Sequence, residues 1–325
     1  MKKTKLLKGK EGLGLLVGII VLFIFMSIFA DNFLSLYNMH NLLKDTSILL
    51  IVAVGMTLVI LVARIDMSVG STMSLTAIVT TILLRDGTHI VPAIIAGILC
   101  GVLIGLLNGY LVGVQKLNHW VTTFATLSLG KGLALVICDG QIINANSDHL
   151  KAIGHNSSVF LGLHVFIWIA AAIFVFMLYV LNKTKFGYKL YSVGGSEQTA
   201  TLAGMKTSTS YISVYIISGV LASIAGILLA SKANNGNATI GDGYEFNAIA
   251  TVLIGGTPFA GGRGGLTGTL LGAVLISTLK NGLRFIGITP SLQFVIIGVV
   301  ILIVIIVDVV FNERRKLEEI RRVEQ

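Results

Sequence analysis

The chain has 325 residues, of which 54% are apolar and only 12% charged, and its mean hydropathy is +0.89. A soluble domain carries about 25% charged residues, so most of this surface must face lipid. The net charge of +9 does not mark a nucleic-acid binder, because ten of the 24 basic residues lie in two tails, Lys2 to Lys10 and Arg314 to Arg322, that flank apolar runs as the positive-inside rule expects.

Ten apolar runs follow along the chain, with approximate limits 12–30, 48–63, 68–84, 91–114, 120–137, 159–181, 210–230, 246–260, 266–285 and 291–311. Several approach the 20 or so residues that cross a hydrocarbon core about 30 Å thick. The first run follows a Lys-rich stretch like a signal peptide. It is too long for an h-region, and Ile28 spoils the small-x-small cleavage pattern, so it is read as a retained span. The runs at 48–63, 68–84 and 246–260 are short and broken by glycine, the mark of tilted, kinked or half-crossing helices. The fold class expected is therefore an all-α polytopic membrane protein of about ten transmembrane helices, forming one transmembrane domain over residues 1–325.

Orientation comes from Lys and Arg. With the N-terminus inside, segments 1–11, 64–67, 115–119, 182–209, 261–265 and 312–325 are cytoplasmic and hold 17 of the 24 basic residues. The outer side holds Lys44, Arg85, Lys151, Lys232 and Arg284, while Lys131 and Lys280 fall within spans. That bias puts both tails, 1–11 and 312–325, and the loop 182–209 in the cytoplasm. The longest outer loop, 138–158, is too short for a domain of its own. Loop 182–209 carries a helix signal: Ser196 as cap, Glu197 in the first turn and Gly204 to close it. A capped helix between two spans suits a docking surface.

Glycines at 101, 105, 109 and 113 share one helix face, as do those at 264, 268 and 272, which lets helices approach closely in lipid. An internal repeat is also suggested. Asp66 precedes Asn108-Gly109 by 42 residues and Asp242 precedes Asn281-Gly282 by 39, each Asn-Gly closing a Gly-rich span five spans apart. An offset of five inverts the second copy, giving two five-helix halves with the substrate route between them.

Catalytic patterns are missing. The Gly255 to Gly265 stretch lacks the Lys-Ser/Thr of a phosphate loop, no Ser/His/Asp or His-Glu-x-x-His pattern occurs, and Cys100 and Cys138 have no metal-ligand spacing. Asp66, Glu245, Lys131, Lys280 and Asp308 are costly in hydrocarbon and are candidates for function. Asp66 and Glu245 sit beside Gly-rich turns, where capping a half-helix or pairing with Arg64 or Arg263 accounts for them; Asp308 and Lys280 are placed near an interface. Neutral polar and aromatic side chains cluster at Trp120, Thr122, Thr123, Phe124 and Thr126, and again at Asn108, Tyr244, Phe246 and Asn247.

Three blocks resemble a known family, the ribose-type carbohydrate ABC transporter permeases. They are Gly55-Met56-Thr57 through Ile65-Asp66-Met67-Ser68-Val69-Gly70-Ser71; Lys185-Phe186-Gly187 with Tyr191 to Gly195 and Ala203-Gly204-Met205; and Ala248 to Thr257 with Gly261-Gly262-Arg263-Gly264 and Gly268 to Gly272, followed by Asn281-Gly282-Leu283. Two positions depart from the pattern: Ala63-Arg64 stand where the family usually has Gly-Gly, and Asn118-His119 where a Pro pair is common.

The resemblance implies a non-enzymatic permease subunit in a bacterial cytoplasmic membrane, translocating a neutral sugar (pentose, hexose or related polyol). It implies three kinds of partner: a cytoplasmic ABC ATPase that uses Mg-ATP, a second permease copy, and an extracytoplasmic sugar-binding protein. No cofactor, metal or nucleic acid is expected on this chain. Gly194, Gly195, Ser196, Glu197, Ala200 and Gly204 would couple it to the ATPase. Asp66, Asn108, Trp120, Thr123, Phe124, Phe246, Asn247 and Asn281 are the candidates for the translocation pathway. The alternative reading is an ion-coupled secondary transporter or channel for a small polar solute.

Overall fold

The computed structural model describes residues 10–154, 159–289, 291–303 and 306. It is helical almost throughout. In chain order come α1 (Lys10–Phe29), α2 (Leu36–Leu61), α3 (Val69–Arg85), α4 (Ile90–Gly113), α5 (His119–Cys138), α6 (Asp148–Gly154), α7 (Val165–Lys183), α8 (Lys185–Gly195), α9 (Glu197–Leu202), α10 (Thr207–Ala233), α11 (Tyr244–Ile254) and α12 (Leu266–Phe285). The apolar helix Ser291–Ile303 is α13. Within the described residues, each of the ten apolar runs lies largely on one of these helices. Six, α2, α4, α5, α7, α10 and α12, are long and apolar enough to cross a bilayer; the apolar parts of α1, α3, α11 and α13 are shorter. The tails 1–9 and 307–325, and with them Asp308, lie outside the described residues.

Burial sorts the helices into a centre and a rim. The second half of α2 is enclosed on all sides by α7, α10, α11 and α12, and α3 is enclosed in turn by α4, α5 and α10. The enclosure of α3 explains its polarity. Ser71, Thr72, Ser74, Thr76, Thr80 and Thr81 never meet lipid, and Thr76 bridges to the Gly97 carbonyl at 3.1 Å and to Ser223 at 2.9 Å. The rim helices instead leave large apolar side chains uncovered, among them Leu99 and Leu103 on α4, Val121 and Val136 on α5, and Val175 and Phe176 on α7.

The glycine stripes do what their spacing predicts. On α4, a Cβ at Gly105 would lie 2.8 Å from the Ile216 Cα, and one at Gly109 2.7 Å from the Ile212 Cα, so α4 and α10 touch backbone to backbone. Gly268 and Gly272 bring α12 equally close to Gly255 and Thr251 of α11.

Three limits of the runs are corrected. The helix of the second run begins twelve residues earlier, at Leu36, where Ser35 caps it by accepting from the Asn38 amide at 3.3 Å; its polar start is shielded because Asn38 and Lys44 are buried by other elements. The sixth run starts as a hairpin, Val159–Phe160 with Leu163–His164, turned by the left-handed Leu161 and Gly162; α7 begins only where His164 caps it. The eighth run stops at Ile254, because Gly256 at φ +83° ends the helix and Pro258 follows. Its 11 residues span about 16 Å, half a hydrocarbon core. On the side opposite α9, Ile143 and Asn144 pair antiparallel with Gly236 and Asn235.

Candidate functional site

The two short inner helices are placed head to head. The backbone just before α11 presses on the first turn of α3: Gly241 packs on Gly70, and Glu245 reaches the same glycine. The positive ends of two helix dipoles meet there, with Asp66 three residues before the start of α3 and Glu245 in the first turn of α11. Neither acid pairs with the arginine that the sequence offers nearby. Asp66 is instead held by neutral donors. Its Oδ1 accepts from the Ser68 amide at 3.0 Å and the Ser68 hydroxyl at 2.6 Å, and its Oδ2 accepts from Ser218 at 2.8 Å. A buried carboxylate needs such charge-assisted bonds.

The network extends outward. The Asn108 amide donates to the Ser68 hydroxyl at 2.9 Å and accepts from Thr126 at 2.8 Å. Tyr215 closes the other side by donating to the Ile65 carbonyl at 3.0 Å. Five elements, the α2–α3 loop, α3, α4, α5 and α10, are thus tied at one buried point.

The eight pathway candidates do not form one site. Asp66, Asn108 and Thr123 meet in or beside this network, Thr123 contacting the Ile65 carbonyl at 3.5 Å. Trp120 and Phe124 lie exposed on the outside of α5, where Trp120 stacks 6.2 Å from Phe259. Phe246 and Asn247 diverge around α11. Phe246 faces a cavity with Lys131 and Asp242, whereas the buried Asn247 lines a smaller recess with Asp45, Tyr244, Lys280 and Arg284. Lys280 lies 5.6 Å over the Tyr244 ring. Asn281 exchanges two 2.9 Å bonds with Asn38 of α2. Ser68, Ser218 and the Lys131–Asp242 pair were not singled out by the sequence as site residues; only the polarity of α3 and the intramembrane Lys131 hinted at them.

The three sequence blocks converge at one end. The Gly262 amide donates to the Leu61 carbonyl at 2.9 Å. A Cβ at Gly262 would come 2.7 Å from Gly195, and one at Gly261 2.7 Å from the Ala63 amide. Gly261 and Gly262 are both left-handed, at φ +71° and +70°, a conformation and closeness that only glycine combines. Ala63 itself stands in the left-handed region, at φ +56°. Tyr191 of α8 donates to the Gly264 carbonyl at 2.9 Å, and burial pushes its phenol above the ordinary value, so it stays a donor.

On this junction sits α9. Ser196 caps it by accepting from Thr199 at 3.2 Å, and Gly204, at φ +78°, follows its end. Ala200 is only 3% exposed and plugs the helix into the core. Glu197 takes Arg64 at 2.8 Å and Lys116 at 2.9 Å, and both cations lie over the Tyr211 ring, at 4.6 and 5.3 Å. Burial raises the Glu197 pKa, but the bonds from Lys116 and Tyr211 and the charges of Lys116 and Arg64 outweigh it, so the acid ends below its ordinary range. Opposite, Leu202 is 89% exposed beside Gln198 and Thr201. Gly194 packs on the Leu61 carbonyl, and Gly195 under Gly262. Among the described residues no His/Cys/Asp/Glu group could hold a metal ion.

The family model for the branched-chain amino acid transport system permease component matches residues 38–305. The ribose import permease protein of Bacillus subtilis is 38% identical over 298 residues, 92% of both chains. That of Escherichia coli K12 is 35% identical over 90% of this chain and 92% of its own. The L-arabinose transport system permease protein of Escherichia coli K12 is 33% identical over 91% of this chain and 89% of its own. No solved structure matches the chain significantly.

Proposed function

This chain belongs to the permease-component family of ABC transport systems, and from that premise we propose that it is the membrane-spanning subunit of an importer for a neutral sugar: a pentose, hexose or related polyol. The end-to-end match to ribose and L-arabinose permeases supports the substrate class. The chain conducts and does not catalyse. Mg-ATP is hydrolysed on a cytoplasmic ATPase, a binding protein delivers the sugar from outside, and a second permease copy completes the pore.

The observation that carries this reading is α9. A six-residue helix is too short to stand alone, yet it is capped, plugged by Ala200 and clamped through Glu197, and it presents a bare Leu202. Such a rigid knob suits a cleft in a partner. The ATPase would push on α9, and the clamp would pass that motion to the α2–α3 loop and the Asp66 network. Ala200 therefore seats the helix, while Leu202, Gln198 and Thr201 face the partner.

In this scheme ten helices span or half-span the bilayer in two inverted halves, α3 and α11 being the corresponding half-helices. The tails and residues 182–209 lie in the cytoplasm, and all 325 residues form one domain. Asp66, Asn108 and Thr123 set the α3 end of the route and Phe246 the α11 end. Trp120 and Phe124 face the second copy; Asn281 ties α12 to the start of α2, and Asn247 faces the recess beside Tyr244 and Lys280.

The test is reconstitution of the complex in proteoliposomes with D-ribose or L-arabinose on its binding protein. Uptake that requires ATP and the ATPase is expected. Uptake driven by an ion gradient without ATP would overturn the reading in favour of a secondary transporter.

A further inference from the structure

A cavity of about 210 Å³ opens beside the meeting point of α3 and α11. Ser71, Lys131, Asp242, Glu245, Phe246 and Phe294 line it, so α3, α5, α11, α13 and the loop before α11 all contribute. It is smaller than the roughly 300–1,000 Å³ sites that hold drug-sized ligands, and suits a solute the size of one monosaccharide.

Its chemistry is uneven in an informative way. Lys131 and Asp242 neutralise each other at 2.7 Å and stay partly exposed. Glu245 is 6% exposed, and its Oε2 has no hydrogen-bond partner among the described residues. A buried carboxylate oxygen without a donor costs free energy, and the nearby Gly70 leaves space and no hydrogen bond. The terminal torsion of a glutamate is broad, so a small rotation turns that oxygen toward the cavity. The half-exposed rings of Phe246 and Phe294 supply apolar faces beside it.

We infer that this cavity is the sugar-binding station of the transport route, with Glu245 accepting substrate hydroxyls between Phe246 and Phe294. The inference rests on the function proposed above. A polyol fits because its hydroxyls donate to Glu245, Asp242 and the Ser71 oxygen, whose own proton goes to the Ser68 carbonyl, and accept from Lys131, while its C–H faces meet the rings. An anion would meet two carboxylates. A cation would meet the ammonium of Lys131, already paired.

The experiment uses the complete complex in proteoliposomes, with D-ribose and L-arabinose as probes and both sugar uptake and ATP hydrolysis measured. In Glu245→Gln, which keeps shape and loses the charged acceptor, the sugar carried per ATP should fall at least five-fold. KM for the loaded binding protein should stay within two-fold, because delivery precedes this station. Phe294→Leu should lower the same ratio two- to five-fold, and it carries the test if Glu245→Gln fails to assemble. A merely structural role would lower transport and hydrolysis in proportion and leave the ratio fixed. If the wild type moves both pentoses and both variants keep the wild-type ratio, the station is overturned and the function stands. If the wild type moves neither pentose, nor any of a panel of hexoses and polyols, the proposed function fails and the station with it.

Discussion

Arg64 reaches across 133 positions of sequence to donate to Glu197 at 2.8 Å, and so ties the loop entering α3 to the first turn of α9. Arg64 stands two residues before Asp66, whose carboxylate anchors the buried polar network. The clamp therefore links the α9 end of the molecule to its centre through a single short loop. Partly exposed ion pairs contribute only about 0.2–1 kcal/mol to stability, which suits a part that transmits motion more than one that holds the fold.

Breaking that clamp should separate stability from coupling. In Arg64→Ala, the melting temperature of the purified permease should change by less than 3 °C, while ATP-dependent sugar uptake falls at least three-fold. Thermal unfolding in detergent and proteoliposome uptake check the two halves. Uptake at the wild-type rate would count against transmission through Arg64.

The clamp also has a defined acid limit. Folding lowers the Glu197 pKa below its ordinary 4.5. The ionised pair's stabilisation is thus present above 4.5 and lost as pH falls through the lower folded value. The Glu197 side-chain carboxyl signal, followed by NMR of the selectively labelled permease in detergent, should show no titration from pH 7 to 5. A midpoint above 4.5 would contradict the geometry.

Leu202 and Ala200 should respond in opposite ways to the same substitution. Leu202 is 89% exposed, so Leu202→Arg should alter the permease's own stability by no more than about 0.5 kcal/mol and still abolish co-purification of the ATPase. Ala200 is 3% exposed, so Ala200→Arg should destabilise the chain itself by 2 kcal/mol or more, on the order expected for a large charged group forced into a core. Differential scanning fluorimetry and pull-down distinguish them. Equal destabilisation by both would mean that α9 does not sit as described.

Parts of this architecture were legible in the sequence because they depend on local spacing. Glycines four apart on α4 had to share a face, and that face is the α10 contact. Ser196, Glu197 and Gly204 announced α9, and the short Gly-broken runs announced α3 and α11. What depends on long-range pairing was not legible. Nothing near Arg64 points to Glu197 rather than Asp66, and nothing near Lys131 points to Asp242. Phe246 and Asn247 looked like one cluster because they are adjacent, yet adjacent helical residues point about 100° apart, and the two face different recesses. Asn108 and Asn281 hold matching places in the suggested repeat but have unlike partners, Ser68 and Thr126 for one and Asn38 for the other.

The α4–α10 contact should be intolerant of volume. Gly105→Ala places a methyl group 2.8 Å from the Ile216 Cα and on the Tyr215 backbone, which cannot yield as a side chain can. Overpacking of this kind costs about 1–3 kcal/mol. Gly132→Ala on α5 meets nothing within 4 Å and should gain up to about 1 kcal/mol from helix propensity. Melting temperatures of the two variants in the same detergent should move in opposite directions.

The Asp66 network should behave as one unit. Ser218→Ala removes the hydroxyl that donates to Oδ2 and leaves that oxygen buried without its donor, at a cost of about 1–3 kcal/mol. Asp66→Asn replaces the acceptor with an amide that must present its NH2 either to the Ser68 amide or to the Ser218 hydroxyl; only the second can accept, so the amide has one satisfactory orientation. In that orientation Ser218 reverses from donor to acceptor and the side-chain bond survives, though without the strengthening that a charge confers. Asp66→Asn should therefore be milder in stability than Asp66→Ala, and Ser218→Ala should cost less when combined with Asp66→Asn than in the wild type. Urea unfolding of the wild type, the two single variants Asp66→Asn and Ser218→Ala, and their double variant gives the coupling energy directly, and residues in one hydrogen-bond network typically couple by about 0.5–3 kcal/mol. Strict additivity of the two substitutions would mean that Ser218 does not hold Asp66, and that α10 reaches the α2–α3 loop through Tyr215 and the Arg64–Tyr211 contact instead.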